Sequence, residues 1–115
     1  MKSADRNWFK EFPSAITVCD KEGIIIYMND KSCKTFEKDG GEKLIGTNVL
    51  DCHPEPSRTK LKKMLSEGKT NSYTIEKNGI KKIIHQSPWF EKGAYSGFVE
   101  LSIEIPLTMP HFKRG

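Results

Sequence analysis

An α+β fold built on an antiparallel sheet is predicted by two observations: the chain carries three β-hairpin patterns, and a long helical stretch separates the first from the others. Val18-Cys19-Asp20-Lys21-Glu22-Gly23-Ile24-Ile25-Ile26-Tyr27 reads as strand, tight turn, strand, because Asp20 and Gly23 punctuate two runs of β-branched and aromatic residues. Ile75 to Ile84 repeats the pattern around Asn78-Gly79, a pair that supplies the positive φ a type I′ turn requires at both central positions. The third hairpin runs from Pro88 to Phe98, with Lys92-Gly93 near its middle.

At 115 residues the chain has material for one core and one domain. Its expected parts are an amphipathic N-terminal helix over 1–13, the domain proper over 14–105 and an extended tail over 106–115. Nineteen Lys and Arg against 15 Asp and Glu give a formal charge of +4, a mildly basic surface without the concentrated excess of a dedicated nucleic-acid binder. No apolar run is long enough to span a bilayer and the first residues lack the apolar centre of a signal peptide, so a cytoplasmic protein with no membrane partner is expected. Cys19, Cys33 and Cys52 are odd in number, unevenly spaced and free of any C-x-x-C pair; they read as reduced thiols rather than a disulfide framework or zinc site.

Within Asp5 to Phe12, a helix would put Trp8, Phe9 and Phe12 along one side, and Pro13 ends it. So short a segment must bury its aromatics on the sheet or against a second subunit, which makes these three the candidate dimer contacts. Asn29 or Asp30 can cap a helix running to Glu37, turning Cys33 and Phe36 inward. Asp39-Gly40-Gly41 breaks it, and Glu42 to Gly46 reads as a single helical turn closed by glycine. The prolines at 54 and 56 lead into a helix to about Glu67, with Leu61, Met64 and Leu65 as a narrow apolar stripe and lysines on the other faces. From Asn71 the period switches to two, and Ile83 to Trp89 and Gly97 to Ile105 complete the sheet.

Several of these positions carry a family resemblance. Asp20-Lys21-Glu22-Gly23 resembles the D-x-x-G first hairpin of PAS sensor domains, and Tyr27-Met28-Asn29 resembles their strand-ending aromatic-x-Asn. Lys43-Leu44-Ile45-Gly46 resembles their E-x-L-I-G turn, and His53-Pro54-Glu55 resembles the H-P-E-D that opens their long helix, with Pro56 in place of the acid. The resemblance runs from about Ser14 to Ile105. It implies a five-stranded antiparallel sheet in the order 2-1-5-4-3, short helices over one face and an internal cavity between them. It also implies a sensor that passes its state to an attached or partner effector, as in bacterial signal transduction or transcription regulation. No effector is contained in these 115 residues, so the expectation is an excised piece or a free-standing sensor.

The candidate ligand cavity is Val18, Met28, Phe36, Leu44, Ile45, Leu61, Leu65, Tyr73, Ile75, His85 and Leu101. One of His85 or Gln86 is expected to face it, since they alternate along a strand; a bond to a neighbouring strand is the competing use of that side chain. His53 beside Cys52 offers imidazole and thiolate, both common haem or metal ligands, although PAS haem proteins generally present the histidine from inside the long helix and Ser57 to Glu67 has none. Light-sensing relatives place their cysteine in N-C-R-F-L-Q. Asp30-Lys31-Ser32-Cys33-Lys34-Thr35-Phe36 lacks that pattern, so flavin is not expected. No Ser/His/Asp order, G-x-S-x-G, H-E-x-x-H or phosphate loop appears, and no enzyme is expected. Two further readings stand beside the ligand-binding sensor: a ligand-free dimerisation module resting on the N-terminal aromatics, and a haem or metal gas sensor through His53 or Cys52.

Overall fold

The computed structural model describes residues 6–115. Strands β1 (Ala15–Asp20), β2 (Ile25–Met28), β3 (Asn71–Lys77), β4 (Ile80–Glu91) and β5 (Ala94–Ile105) form one antiparallel sheet in the order β2-β1-β5-β4-β3. Helices α1 (Asp30–Thr35) and α2 (Ser57–Glu67) and three short 3-10 turns between them make up the intervening segment. The expected order of strands is the observed one. None of the described helices is long and apolar enough to cross a membrane.

Local chemistry sets the turns. Asp20 Oδ1 accepts from the amides of Glu22 and Ile24 at 3.0 and 2.9 Å, closing the first hairpin through a side chain. Asn78 and Gly79 have φ of 54° and 78°, and Lys92 and Gly93 have 50° and 82°, the paired left-handed conformations of type I′ turns. Because both turns are tight, β4 and β5 reach 12 residues each and extend beyond the Ile83–Trp89 and Gly97–Ile105 limits expected from alternation.

Helix α1 is capped by Asn29, whose Oδ1 accepts from Ser32 N at 3.0 Å. It ends at Thr35, and a 3-10 turn over Glu37–Asp39 takes up the rest of the expected helix. Ser32 is the residue buried beneath it, while Cys33 and Phe36 are half-buried. Helix α2 stops at Gly68, which takes the left-handed conformation at φ 63° and donates to Met64 O at 2.9 Å. Leu65 is the buried member of the apolar stripe and packs with Cys19 and Phe98, flanked by Val49, Leu61, Met64 and Tyr95. Tyr95 Oη donates to Leu65 O at 2.7 Å, tying the third hairpin to α2.

The N-terminal segment departs from the expected helix. Positions 1–5 lie outside the described residues, and Trp8–Glu11 runs as turns, with Lys10 N to Asn7 O and Phe12 N to Phe9 O both at 3.3 Å. The reason is Asn29, wholly buried, whose Nδ2 donates to the carbonyls of Phe9 and Ser14 at 2.9 Å and Phe12 at 3.4 Å. Its Oδ1 also accepts from Ile16 N at 2.9 Å. One amide thus satisfies the backbone of three segments, and because it holds carbonyls from Phe9 to Ser14 at once, the chain curls around it in turns. Residues 106–115 form no strand or helix and are exposed.

Candidate functional site

The alternation of side chains along paired strands divides the sheet into two faces. Thr17, Cys19, Met28, Ile84, Gln86, Phe98, Glu100 and Ser102 share the face covered by the helices, by register and by lining. Val18, Val99 and Ser87 lie opposite one another on the other face, as do Ile16, Leu101 and His85.

Between the helix-covered face and the 49–65 segment lies a cleft in three compartments. The first, about 250 Å³, is walled by Ile25, Met28, Phe36, Leu44 and Val49, with Thr17 and Glu100 on its floor. The second, about 300 Å³ and open to solvent, lies among Ser57, Lys60, Leu61, Met64, Asn71, Tyr73 and Gln86. A junction of about 60 Å³ beside Cys19, Leu65 and Phe98 shares Thr17, Val49 and Glu100 with the first and Leu61, Met64 and Gln86 with the second, and His53 borders all three.

The floor has a pattern of its own. Asn71 pairs in register with Gln86, Gln86 with Glu100, and Glu100 with Thr17, so four adjacent strands place polar side chains on one rung across the sheet. Asn71 Nδ2 donates to Gln86 Oε1 at 3.1 Å, which turns the Gln86 N–H groups toward the Glu100 carboxylate. Thr17 is engaged by the Ser32 hydroxyl of α1. Burial pushes the Glu100 carboxyl up from its ordinary value, opposed by the Gln86 hydrogen bond and by the His53 ring.

His53 closes the 3-10 turn Val49–Cys52, and its Nδ1 lies 2.7 Å from Val49 O. A carbonyl only accepts, so Nδ1 carries the proton and, in the neutral ring, Nε2 keeps its lone pair. The neighbouring Cys52 borders the first compartment and is exposed, whereas burial raises the thiol pKa of Cys19. Among the described residues no three His, Cys, Asp or Glu side chains converge as a metal site.

Of the expected cavity residues, Met28, Phe36 and Leu44 wall the first compartment, Leu61 and Leu65 the junction, and Tyr73 the second. Val18, His85 and Leu101 do not belong to the cleft: they lie on the opposite face, and His85 Nδ1 is bonded to Ser72 Oγ across the β3–β4 pair at 2.6 Å. Gln86 is the member of its pair that faces the helices. Ile45 is exposed, and Ile75 lies beyond the helices in a separate groove with Lys77, Ile80, Lys82 and Glu104. Thr17 and Glu100 lie outside the expected set, which favoured aliphatic side chains, and Gln86 entered it as the alternative to His85. The available signal was Glu100 itself, a charge amid the apolar run Phe98-Val99-Glu100-Leu101. At the N-terminus Trp8 and Phe12 are 67% and 42% exposed, while Phe9 packs edge-on against Tyr27 at 5.2 Å.

Comparison with known proteins gives a consistent fold. The Aer2 receptor of Vibrio cholerae, described as a dual PAS-haem oxygen sensor, superposes with a TM-score of 0.62 at 15% identity, over 80% of this chain and 94% of that one. A PAS domain of an HTR-like protein from Haloarcula marismortui gives 0.61 at 17%, over 85% and 86%. VqmA bound to DPO gives 0.62 at 18%, over 88% of this chain and 56% of that one. At these identities the likeness is one of fold. No curated protein matches the sequence. The sequence profile of the PAS domain matches residues 13–90, which is most of the sheet and all of the helical segment, and the chain belongs to the PAS domain family.

Proposed function

We propose that this PAS domain is a sensor module that holds a small molecule in the cleft between helices and sheet and relays occupancy to a partner or a second subunit. The observation that carries the reading is the polar rung Asn71-Gln86-Glu100-Thr17 beneath walls that are largely apolar. A few convergent polar groups in an apolar recess orient a ligand, and leaving them without partners costs about 1–3 kcal/mol each. The relay has a physical route. Thr17 on the floor bonds Ser32 of α1, and α1 is capped by the Asn29 that also gathers the N-terminal segment. A guest that shifts Thr17 therefore bears on the segment carrying Trp8 and Phe12. Occupancy biases the two arrangements only by its preference for one, and a tenfold preference is about 1.4 kcal/mol.

Mass spectrometry of gently purified protein, set beside a denatured extract, tests the reading: a bound small molecule is expected, and its removal should lower the thermal midpoint. Finding no species, and no thermal shift with any compound of a metabolite panel, would overturn it. Filling the junction by Val49→Trp should abolish the shift without unfolding the sheet.

A second reading, a dimerisation module, is favoured by the exposed Trp8 and Phe12, whose rings lie 5.7 Å apart edge to face. Sedimentation of Trp8→Ala/Phe12→Ala decides: a dimer that persists at the same concentration excludes these rings as the contact. The haem reading rests on the His53 Nε2. It fits the cleft poorly, because the first compartment beside His53 has the Glu100 carboxylate on its floor.

A further inference from the structure

The cleft is acidic within a basic protein. The chain has 19 Lys and Arg against 15 Asp and Glu, yet the charged side chains lining the first compartment and the junction are Asp39, Glu100 and, when protonated, His53. The one ammonium near the cleft, Lys60, borders the open second compartment, and it is not among the groups that act on the Glu100 carboxyl. The ion pairs of the described residues are Lys10–Asp30, Lys31–Glu104 and Lys69–Glu67, all at the surface, so among the described residues Glu100 forms no salt bridge, and the His53 ring is the one basic group that acts on it.

The hydrogen-bonding inventory points the same way. Gln86, its Oε1 held by Asn71, offers its N–H groups to Glu100, and the Thr17 hydroxyl is engaged by Ser32. Around the first compartment the lining groups with the strongest hydrogen-bonding capacity are acceptors: the carboxylate oxygens of Glu100 and Asp39, and the Nε2 lone pair of a His53 whose proton is held at Nδ1 by Val49 O. A compartment lined by two carboxylates and no lysine or arginine is complementary to a guest that brings donors. A guest carboxylate would meet like charge with little available to pair it.

We propose that the guest is a small organic cation, its ammonium or amidinium head on Glu100 and its apolar body against Ile25, Met28 and Val49, in the compartment that Asp39 and His53 also border. This rests on the reading of the cleft as a ligand site and specifies the ligand's charge. An ammonium supplies three N–H donors and the positive charge that a poorly solvated carboxylate lacks, so the contact is charge-assisted on both sides.

Three near-isosteric probes test it on the full chain: 2-phenylethylamine, 2-phenylethanol and 3-phenylpropanoate, each titrated at neutral pH while the backbone amides of Thr17, Gln86 and Glu100 are followed by NMR. The amine is expected to bind about tenfold more tightly than the alcohol, and the propanoate more weakly than either. Glu100→Gln should erase the preference for the amine while leaving the alcohol's affinity in place, and Asp39→Asn, at the rim, should reduce the amine's affinity about twofold to threefold. A propanoate that binds as tightly as the amine, a tenfold preference that survives Glu100→Gln, or no response to the amine at its solubility limit would each overturn the cationic assignment. The outcomes also separate the two levels of inference. Cleft amides that move with the alcohol or propanoate, and stop moving in Val49→Trp, retain the ligand site and discard only the charge. Probes that move none of them, in a protein that also purifies empty, discard both.

Discussion

The two faces of this sheet invert a common expectation. The face roofed by helices carries Thr17, Gln86, Glu100 and Ser102 among its central side chains, while the opposite face carries Ile16, which is buried, and the half-buried Val18, Ile83, Val99, Leu101 and Ile103. A helix-covered surface whose only task was packing would be aliphatic throughout, since burying a polar group gains nothing unless its hydrogen bonds are met. Here the apolar contribution to the covered side comes from Cys19, Phe98 and Leu65 on one side of the rung, Ala15 and Ile84 on the other and Met28 at its end, and the polar rung is met partly by its own members. The difference teaches that the covered face is divided between stability and recognition, and that the aliphatic character of the other face is a sheet-stabilising property rather than a lining.

Substitutions at chosen positions can break or sharpen that contrast. The largest effect is expected where the two faces share a backbone. A Cβ at Gly97 would run into the Cys19 carbonyl oxygen and the Asp20 backbone, forcing β1 from β5, so Gly97→Ala should lower stability by roughly 4 kcal/mol or more in urea unfolding. Next is Asn29→Ala, which strips a buried partner from the amides of Ile16 and Ser32 and the carbonyls of Phe9 and Ser14; about 3 kcal/mol is expected, with accelerated amide exchange in residues 7–14.

A direct comparison of faces follows from two leucines that looked equivalent in the sequence. Leu65→Ala, in the covered core, should cost about 3 kcal/mol, and Leu101→Ala, on the open face, about 1 kcal/mol. Equal losses would mean that the outer face is as well packed as the core.

The smallest and most specific effect concerns Glu100. Its folded pKa is raised by burial, so the folded protein holds that proton where the unfolded chain has released it. The stability this group contributes is therefore present below its unfolded pKa and lost as pH rises through the folded one. Glu100→Gln should flatten that fall and leave the empty protein at least as stable at neutral pH, as read from denaturation midpoints on either side of the carboxylate range. A variant less stable at neutral pH would show the carboxylate to be well paired already.

Turns and helix ends were legible because they depend on neighbours in sequence. Asn78-Gly79 requires two positive φ values, Gly68 ends a helix, and Asn29 caps one, whatever the rest of the chain does. The N-terminal helix does not form over the described residues for the complementary reason: the chain from Phe9 to Ser14 curls around Asn29, a partner from another element that spacing cannot reveal.

The candidate site was legible only in its walls. Periodicity placed Leu61 and Leu65 on one stripe, and the inward side of a helix is the apolar one. For the strands, both faces hold aliphatics, so alternation alone could not say whether Val18 or Thr17, His85 or Gln86, Leu101 or Glu100 faced the helices.

By itself the sequence determined the hairpins, the boundaries of α1 and α2 within a few residues and, through the order of its motifs, the family. Only the tertiary structure decided which side of the sheet faces inward and that Asn71, Gln86, Glu100 and Thr17 lie on one rung. The reason is the period of two: sliding one strand by a single residue exchanges its faces, and the register that prevents it is a property of the paired strands and the helices packed on them.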